Sequence, residues 1–474
     1  MPDDYSLIQD AVNAATDGDT IVVRSNTYFE NVVVNKPLSL VGEGMPTIDA
    51  QRIGSAIEIT ADGCEVKGFR CINAKHPGNA GIKVMSENNI IENNTCEENN
   101  YGIYFRDSSN NTISNNICIE NCNDGIRLWN SLNNIISDNR CIENCGNGIY
   151  SWRSSNSTVT NNEACVNNDD GIYMYDSSNS TVTNNLCAKN NNGISMYDSS
   201  NSTVTNNEVR ENNWIGISMY DSSNGAVTNN TCVNNNYGIY LWRSSNSTVT
   251  NNEVRESNWN GISMSDSSNS TVTNNEVRES NWNGISMSDS SNSAVTNNTC
   301  VNNDIGIYMY DSSNSTVTNN EVRENNNDGI SMSDSSNSAV TNNEVCENND
   351  DGISMYDCSN GTVTNNEVCE NNDDGIHLSR SSNNLICLND FVNNTNNVYS
   401  DSSDNIWNST KPLTYVYNET EYEGYMGNFW SDYDGEDADG NGISDTPYDI
   451  SEWGGLVNDY DNCPLIQSFK NYFR

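Results

Sequence analysis

The sequence predicts an all-β chain wound as a right-handed parallel β-helix, a solenoid with an N-terminal helical cap and a C-terminal cap module. Three observations predict it. The dipeptide Gly-Ile recurs at intervals of 22 or 23 residues, with one of 21, from Gly81 through Gly216 to Gly375. Within each interval two short apolar segments alternate with period two, as in Ser202–Val209 and Gly216–Asn224; that is the strand signature. No stretch of the unit suits a helix, and the Leu-x-x-Leu-x-Leu pattern of leucine-rich repeats is absent. Stacked coils of short parallel strands remain, and the handedness of parallel crossovers makes them right-handed. At about 4.8 Å per coil the repeats extend on the order of 65 Å.

The composition fits such a repeat. Hydrophobic residues are 34% of the chain, and 65 acidic against 21 basic residues give a net charge of -44. In a chain without a repeat that balance signals disorder, but a strict repeat buries a thin continuous core with few apolar residues per unit. So acidic a surface repels nucleic acid and anionic lipid, leaving cations, neutral glycans and basic surfaces as partners. No apolar run reaches transmembrane length.

Three regions follow in order. Residues 1–75 read as a cap and first rungs, with Leu7, Ile8, Ala11, Val12 and Ala15 on one face of a short amphipathic helix. Strands are expected at 20–23, 32–34 and 38–41. The polar opening Met1-Pro2-Asp3-Asp4 looks nothing like a signal peptide, so either the signal is absent from this sequence or the protein is cytosolic; the expectation is the first, a secreted protein. Residues 76–404 are the repeats. Their columns include an inward valine stack (Val159, Val182, Val204 and onward), the Ile after each Gly, and a methionine stack (Met174, Met196, Met219 and onward) that fills core rather than binding metal. Paired asparagines such as Asn206-Asn207 mark a bend where side-chain amides bond from coil to coil. Cys96, Cys118, Cys141, Cys187, Cys232 and Cys300 share an inward column with valine. Cys122 with Cys145, and Cys346 with Cys369, fall at equal positions of adjacent turns, near enough for disulfides. Residues 405–474, richer in Trp, Tyr and Pro, form the C-terminal cap.

Three candidate sites stand out. Trp129, Trp152, Tyr175, Tyr197, Tyr220 and Trp242, one per coil, with Tyr150 and Tyr173 beside them and Arg127 and Arg153 nearby, form an outward strip on which sugar rings can stack. Strand preference alone also favours Tyr and Trp. Asp350-Asp351 and Asp373-Asp374, with His377 and Arg380, offer clustered carboxylates for acid-base chemistry on a polysaccharide, although Asp169-Asp170 and Asn123-Asp124 place similar residues in the same turn elsewhere. Asp437-Ala438-Asp439-Gly440-Asn441-Gly442-Ile443-Ser444-Asp445 spaces oxygen ligands as an EF-hand-like calcium loop does, with Asp437, Asp439, Asn441 and Asp445 giving side chains and Ile443 its carbonyl. Position 12 is Tyr448 instead of Glu, so Asp449 or Asp434 would close the shell. The alternative is an acidic turn.

Gly18-Asp19-Thr20-Ile21-Val22-Val23, Tyr28-Phe29-Glu30-Asn31-Val32, the repeats themselves, and Gly427-Asn428-Phe429-Trp430-Ser431-Asp432-Tyr433 followed by Asp445-Thr446-Pro447-Tyr448 resemble the NosD-type family. Those right-handed parallel β-helices share a fold with carbohydrate-binding proteins and sugar hydrolases, and the repeats are similar to those of surface proteins of methanogenic archaea. The resemblance covers nearly the whole chain. It implies secretion and a terminus compatible with calcium. The family's name is tied to copper delivery, but with no His-Met cluster here copper is not carried over.

Taken together, the sequence predicts a secreted or cell-surface protein with a structural or adhesive role, binding a polysaccharide or cell-envelope glycan along the aromatic strip, with structural calcium in the C-terminal loop. A polysaccharide-degrading hydrolase or lyase built on Asp350, Asp351, Asp373, Asp374 and His377 is the alternative. The roughly fourteen Asn-x-Ser/Thr sequons permit glycosylation, but the composition of the repeat itself generates them.

Overall fold

A computed structural model describes residues 4–450 and 459–473; Met1–Asp3, part of the N-terminal reading above, lie outside the described residues. The chain forms two compact units, residues 1–244 and 245–474, both built from parallel β-helical coils.

In the first unit a seven-residue helix, Ile8–Ala14, buries Ile8, Ala11 and Val12. A helix this short does not persist alone, and its free ends find charged partners. Glu30 accepts from the backbone N–H groups of Ile8 (3.0 Å) and Gln9 (3.1 Å), and Lys36 Nζ donates to the carbonyls of Val12, Asn13 and Ala15. Leu7 and Ala15 fall just outside the helix, and Leu7 is 47% exposed, so the apolar face is narrower than the spacing suggested. The following strands, Thr20–Arg24 and Ser39–Glu43, pair in parallel with each other and then with Glu65–Lys67. The first rungs are therefore coils in their own right.

Each later coil carries three strands. In one coil they are Thr203–Thr205, Glu208–Arg210 and Ile215–Tyr220, and every one pairs in parallel with its equivalents in the coils before and after. Val204, Val209, Ile217 and Met219 all point inward and are fully buried. The corners explain the polar composition. Asn206, Glu211, Asp221 and Asn224 hold φ between 48° and 58°, the left-handed region that Asn and Asp enter most easily. The residue after each bend turns inward and builds a ladder: Asn185 Nδ2 donates to Asn207 Oδ1 (3.0 Å), and Asn207 Nδ2 to Asn230 Oδ1 (2.9 Å). A second ladder runs through Asn190, Asn212 and Asn235, and serines do the same at the third corner, as Ser177 N–H to Ser199 Oγ. Buried amides that would each cost roughly 1–3 kcal/mol if unpaired are thereby satisfied by their own copies.

The second unit repeats this plan, with Val272 stacked on Val249 and Val295 and Asn275 bonded to Asn298 (2.9 Å). Cys346 and Cys369, paired in register, form a disulfide with Cα atoms 4.5 Å apart. Cys122 and Cys145, the other pair in adjacent turns, are free. Near the end the chain leaves the solenoid and returns: Phe429–Trp430 pairs in parallel with Asp390–Val392, and Asn428 takes the next place in the ladder after Asn389 (2.9 Å). Trp430 stacks between Phe391 (4.7 Å) and Tyr448 (4.5 Å), and its Nε1 donates to Asp461. A separate core of Tyr415, Met426, Ile443, Leu465, Phe469 and Tyr472 completes this end.

Candidate functional site

The third strand of each coil carries the outward residues singled out in the sequence. In the first unit its last position is Trp129, Trp152, Tyr175, Tyr197, Tyr220 and Trp242 in turn, and register pairing aligns all six. The rings are half-buried because they pack on one another. Tyr175 stacks on Tyr197 (5.3 Å, 16°) and Tyr197 on Tyr220 (5.9 Å, 14°), while Trp242 is tilted against Tyr220. Two positions earlier, Tyr150 stacks on Tyr173 (5.3 Å, 9°). Offset stacking at these distances is itself stabilising, and it commits the inner rings' faces to each other. The arginines are committed too. Arg127 lies 4.6 Å from the Tyr150 centroid and pairs with Asp124 at 2.9 Å; Arg153 covers Trp152 (4.5 Å) and pairs with Asp176. They brace the strip instead of reaching out to bind hydroxyl groups.

The strip is not uniform. Beside it, the column that holds Tyr150 and Tyr173 continues as Ser195 and Ser218, and the missing rings leave a hollow of about 260 Å³. Tyr173, Tyr197 and Tyr220 wall it, the serines and Asn192 line it, and Asp170 sits at its edge. Asp170 is buried and accepts from Asn192 Nδ2 at 2.7 Å; burial raises its carboxyl above the ordinary range. Sequence reading missed both the hollow and Asp170's part in it. The signal was available in the change from Tyr to Ser within an aligned column.

Asp170 belongs to a further ladder, formed by the residue before each Gly. Asp124 Oδ1 accepts from Asn147, Asn147 Oδ1 from the Asp170 N–H, and Asp170 from Asn192. In the second unit this position is Asn260, Asn283 and Ile305, then Asp328, Asp351 and Asp374. Asp351 Oδ1 accepts from the Asp374 N–H (3.1 Å), and Asp374 Oδ1 from Asn396 Nδ2 (3.1 Å). Their other oxygens grip one imidazole: His377 Nδ1 lies 3.2 Å from Asp351 Oδ2 and 3.2 Å from Asp374 Oδ2. Hydrogen bonds to these carboxylates raise His377 to about 10, so it is an imidazolium at neutral pH. Burial first, then the charge of Asp351, raises Asp328 to about 6. Ligand atoms of Asp350, Asp351 and Asp373 also converge within 4.8 Å. Arg380 stands apart, bonded to Asp357 (2.7 Å) and over the Tyr356 ring.

In the loop 437–445 the carboxylates turn back on the chain. Asp437 accepts from the N–H groups of Asn441 and Gly442 (both 2.9 Å), Asp439 from Asn441, and Asp445 from Ala438 (2.8 Å). Asn441 Oδ1 accepts from the Ile443 N–H, and the Ile443 side chain packs in the terminal core. Gly440 and Gly442 supply the positive φ the loop needs.

A parallel β-helix with ladder-bonded corners and a decorated third strand defines a class of solenoid proteins. Within it, this chain belongs to the family described as periplasmic copper-binding protein (NosD), which it matches over residues 12–167, 146–283 and 260–435. No curated protein matches it. Among solved structures it is similar to pectate lyase Pel9A (16% identity, 51% of this chain and 70% of that one, TM-score 0.38). It is also similar to the periplasmic alginate epimerase AlgG (13%, 82% and 84%, 0.36) and to the A-module of the Azotobacter vinelandii mannuronan C-5 epimerase AlgE4 (14%, 78% and 91%, 0.32). Among the described residues no helix is long and apolar enough to cross a membrane.

The family description names copper, and the donors present fit it only in part. The methionine column and the inward cysteines are buried, out of reach of an ion from solution, and His377 Nδ1 is committed to two carboxylates. The exposed thiols of Cys122 and Cys145 are donors of the softness a cuprous ion takes.

Proposed function

We propose that this protein works outside the cytoplasm, secreted or at the cell surface, as a structural or adhesive β-helix. In this reading it binds a polysaccharide or cell-envelope glycan in the hollow between Tyr173, Tyr197 and Tyr220. The single observation that carries the reading is that hollow, about 260 Å³, where Ser195 and Ser218 stand between the Tyr173 and Tyr240 rings of the aligned column. The edges of Tyr197 and Tyr220, whose faces stack on each other, and the ring of Tyr173 give apolar contact for a sugar ring, while Ser195, Ser218, Asn192 and Asp170 supply donors and acceptors for its hydroxyls. Few, fixed polar groups in an aromatic surround are how such sites achieve specificity. Retention on a panel of neutral and acidic polysaccharides tests it. The wild type should be retained by at least one, and Tyr197→Ala with Tyr220→Ala should not, with far-UV circular dichroism unchanged.

The second reading, a polysaccharide-degrading enzyme, draws on His377 held between Asp351 and Asp374. Its geometry suits a glycosidase poorly, because both carboxylates grip the same imidazole and one oxygen of each serves the corner ladder, whereas glycosidases set two carboxyls about 5 Å or more apart across the scissile bond. Shortened or unsaturated products from the same panel would favour it. Calcium at Asp437, Asp439, Asn441, Ile443 and Asp445 is a structural proposal, since binding would exchange backbone hydrogen bonds for metal-oxygen contacts. It predicts a chelator-sensitive melting temperature that Asp437→Asn makes chelator-insensitive.

A further inference from the structure

We infer that the sugar taken by the hollow is an amino sugar, its ammonium seated on Asp170; the inference rests on the reading of the hollow as a glycan site. Before the Gly of the repeat stand five aspartates, Asp124, Asp170, Asp328, Asp351 and Asp374. The chain answers three of them with a cation of its own, placed three residues on in the ring column. Arg127 Nη1 donates to Asp124 Oδ2 at 2.9 Å. His377 Nδ1 reaches Asp374 and, one coil back, Asp351, each at 3.2 Å. Both cations also lie against rings, Arg127 at 4.6 Å from the Tyr150 centroid and His377 at 4.8 Å from that of Tyr399.

Asp170 has no such answer. The residue three on is Tyr173, and its partner in the next coil is Ser195. What acts on Asp170 is burial first, then hydrogen bonds from Ser195 and Asn192, and the like charge of Asp169. A buried carboxylate without a counter-charge is unfavourable, and beside it lies the hollow walled by Tyr173, Tyr197 and Tyr220. An ammonium there meets what Arg127 meets, a buried carboxylate and aromatic rings. Asp328 also lacks a cation, but burial and then the charge of Asp351 push it up to about 6. The places of the three walls are there Ser331, Tyr356 and Ser379, one ring instead of three. The surrounding field agrees: the net charge is -44, and Asp198 and Asp221 follow Tyr197 and Tyr220 at the rim. That field repels a polyuronate and draws in an amine. Calcium takes about six to eight oxygens, a shell that one carboxylate does not make. The hollow, about 260 Å³, is smaller than the roughly 300–1,000 Å³ of sites for drug-sized ligands, so it takes a single sugar ring.

The test titrates the full chain calorimetrically with β-1,4-linked hexamers of glucosamine, N-acetylglucosamine and glucose, which differ only in an amine, acetamide or hydroxyl at one carbon. At mildly acidic pH, where the amine carries its proton, the glucosamine hexamer should bind about tenfold or more tighter than the other two, the increment of a charge-assisted hydrogen bond. Asp170→Asn should bind all three alike and keep its fold, because Asn147 and Asn192 hold the neighbouring rungs of the same ladder. Tyr173→Arg, which places a cation three residues on as Arg127 is placed, should erase the same preference from within. Asp328→Asn removes an equal charge and should leave the preference intact, separating the site from the overall field. A preference that survives Asp170→Asn, or that falls equally in Asp328→Asn, would overturn the inference. Hexamers bound without preference, yet released by Tyr197→Ala with Tyr220→Ala, would overturn the amine and leave the hollow as a glycan site. Equal binding by wild type and that double variant, or no binding of any hexamer, would overturn both.

Discussion

At the last position of the third strand, residues 1–244 place Trp129, Trp152, Tyr175, Tyr197, Tyr220 and Trp242. Residues 245–474 place Ser265, Ser288, Tyr310, Ser333, Tyr356 and Ser379 at the same position. Beneath both, the inward columns are the same: valine, isoleucine and methionine, all at or near full burial. The position before Gly is mixed in both units, and only the second runs three Asp in a row, Asp328, Asp351 and Asp374. Inward residues and corner ladders are bound by packing and hydrogen-bond counting, so they repeat. Outward residues are free to diverge, and divergence there is where recognition can be built.

The largest effect should come from filling the hollow. Ser195→Trp with Ser218→Trp should abolish glycan retention, a loss on the scale of about 2–4 kcal/mol for a buried anchor contact, while Ser263→Trp in the second unit leaves it unchanged. Affinity electrophoresis reads both, and equal losses in the two units would erase the functional distinction between them.

The scaffold should respond alike in both units. Asn207→Ala and Asn298→Ala each leave a buried backbone N–H, that of Asn185 and of Asn275, without its acceptor, at a cost of about 1–3 kcal/mol apiece. Urea unfolding followed by hydrogen exchange should report matching local losses. A tolerant site in either unit would contradict the shared ladder.

The smallest predicted effect belongs to the second unit alone. Its two carboxylate partners raise His377 from the ordinary imidazole range of about 6.5 to about 10, so its stabilising contribution is fully present below about 6.5 and is lost as pH rises through about 10. The half-exposed ring makes that contribution modest. Thermal melts of His377→Gln should lose the wild type's decline between neutral pH and pH 10.5, and an unchanged decline would place its cause elsewhere.

The repeat made the core legible in the sequence. Period-two alternation told Val204 and Met219 from their outward neighbours, and Gly-Ile spacing set the register. The short helix was legible in outline, but its ends were set by Glu30 and Lys36, which act across more than 20 residues and leave no local pattern. The return of Gly427–Trp430 to the solenoid was hidden for the same reason, its partner Asp390 lying far back in the chain. At the candidate sites, sequence named the aromatic positions but not that their rings would stack on one another, nor that Arg127 and Arg153 would be spent bracing them. Asp350, Asp351, Asp373, Asp374 and His377 converge in two overlapping groups, and the grip of two carboxylates on one imidazole emerged only from the coil-to-coil register. The hollow was missed because it is made by what Ser195 and Ser218 lack.

The most direct measurement of the central claim is the affinity of the wild type and of the Ser195→Trp, Ser218→Trp double variant for whichever polysaccharide retains the wild type, taken with their melting temperatures. The variant should lose binding and keep its melt. Undiminished affinity in a folded variant would contradict it and move recognition away from the hollow.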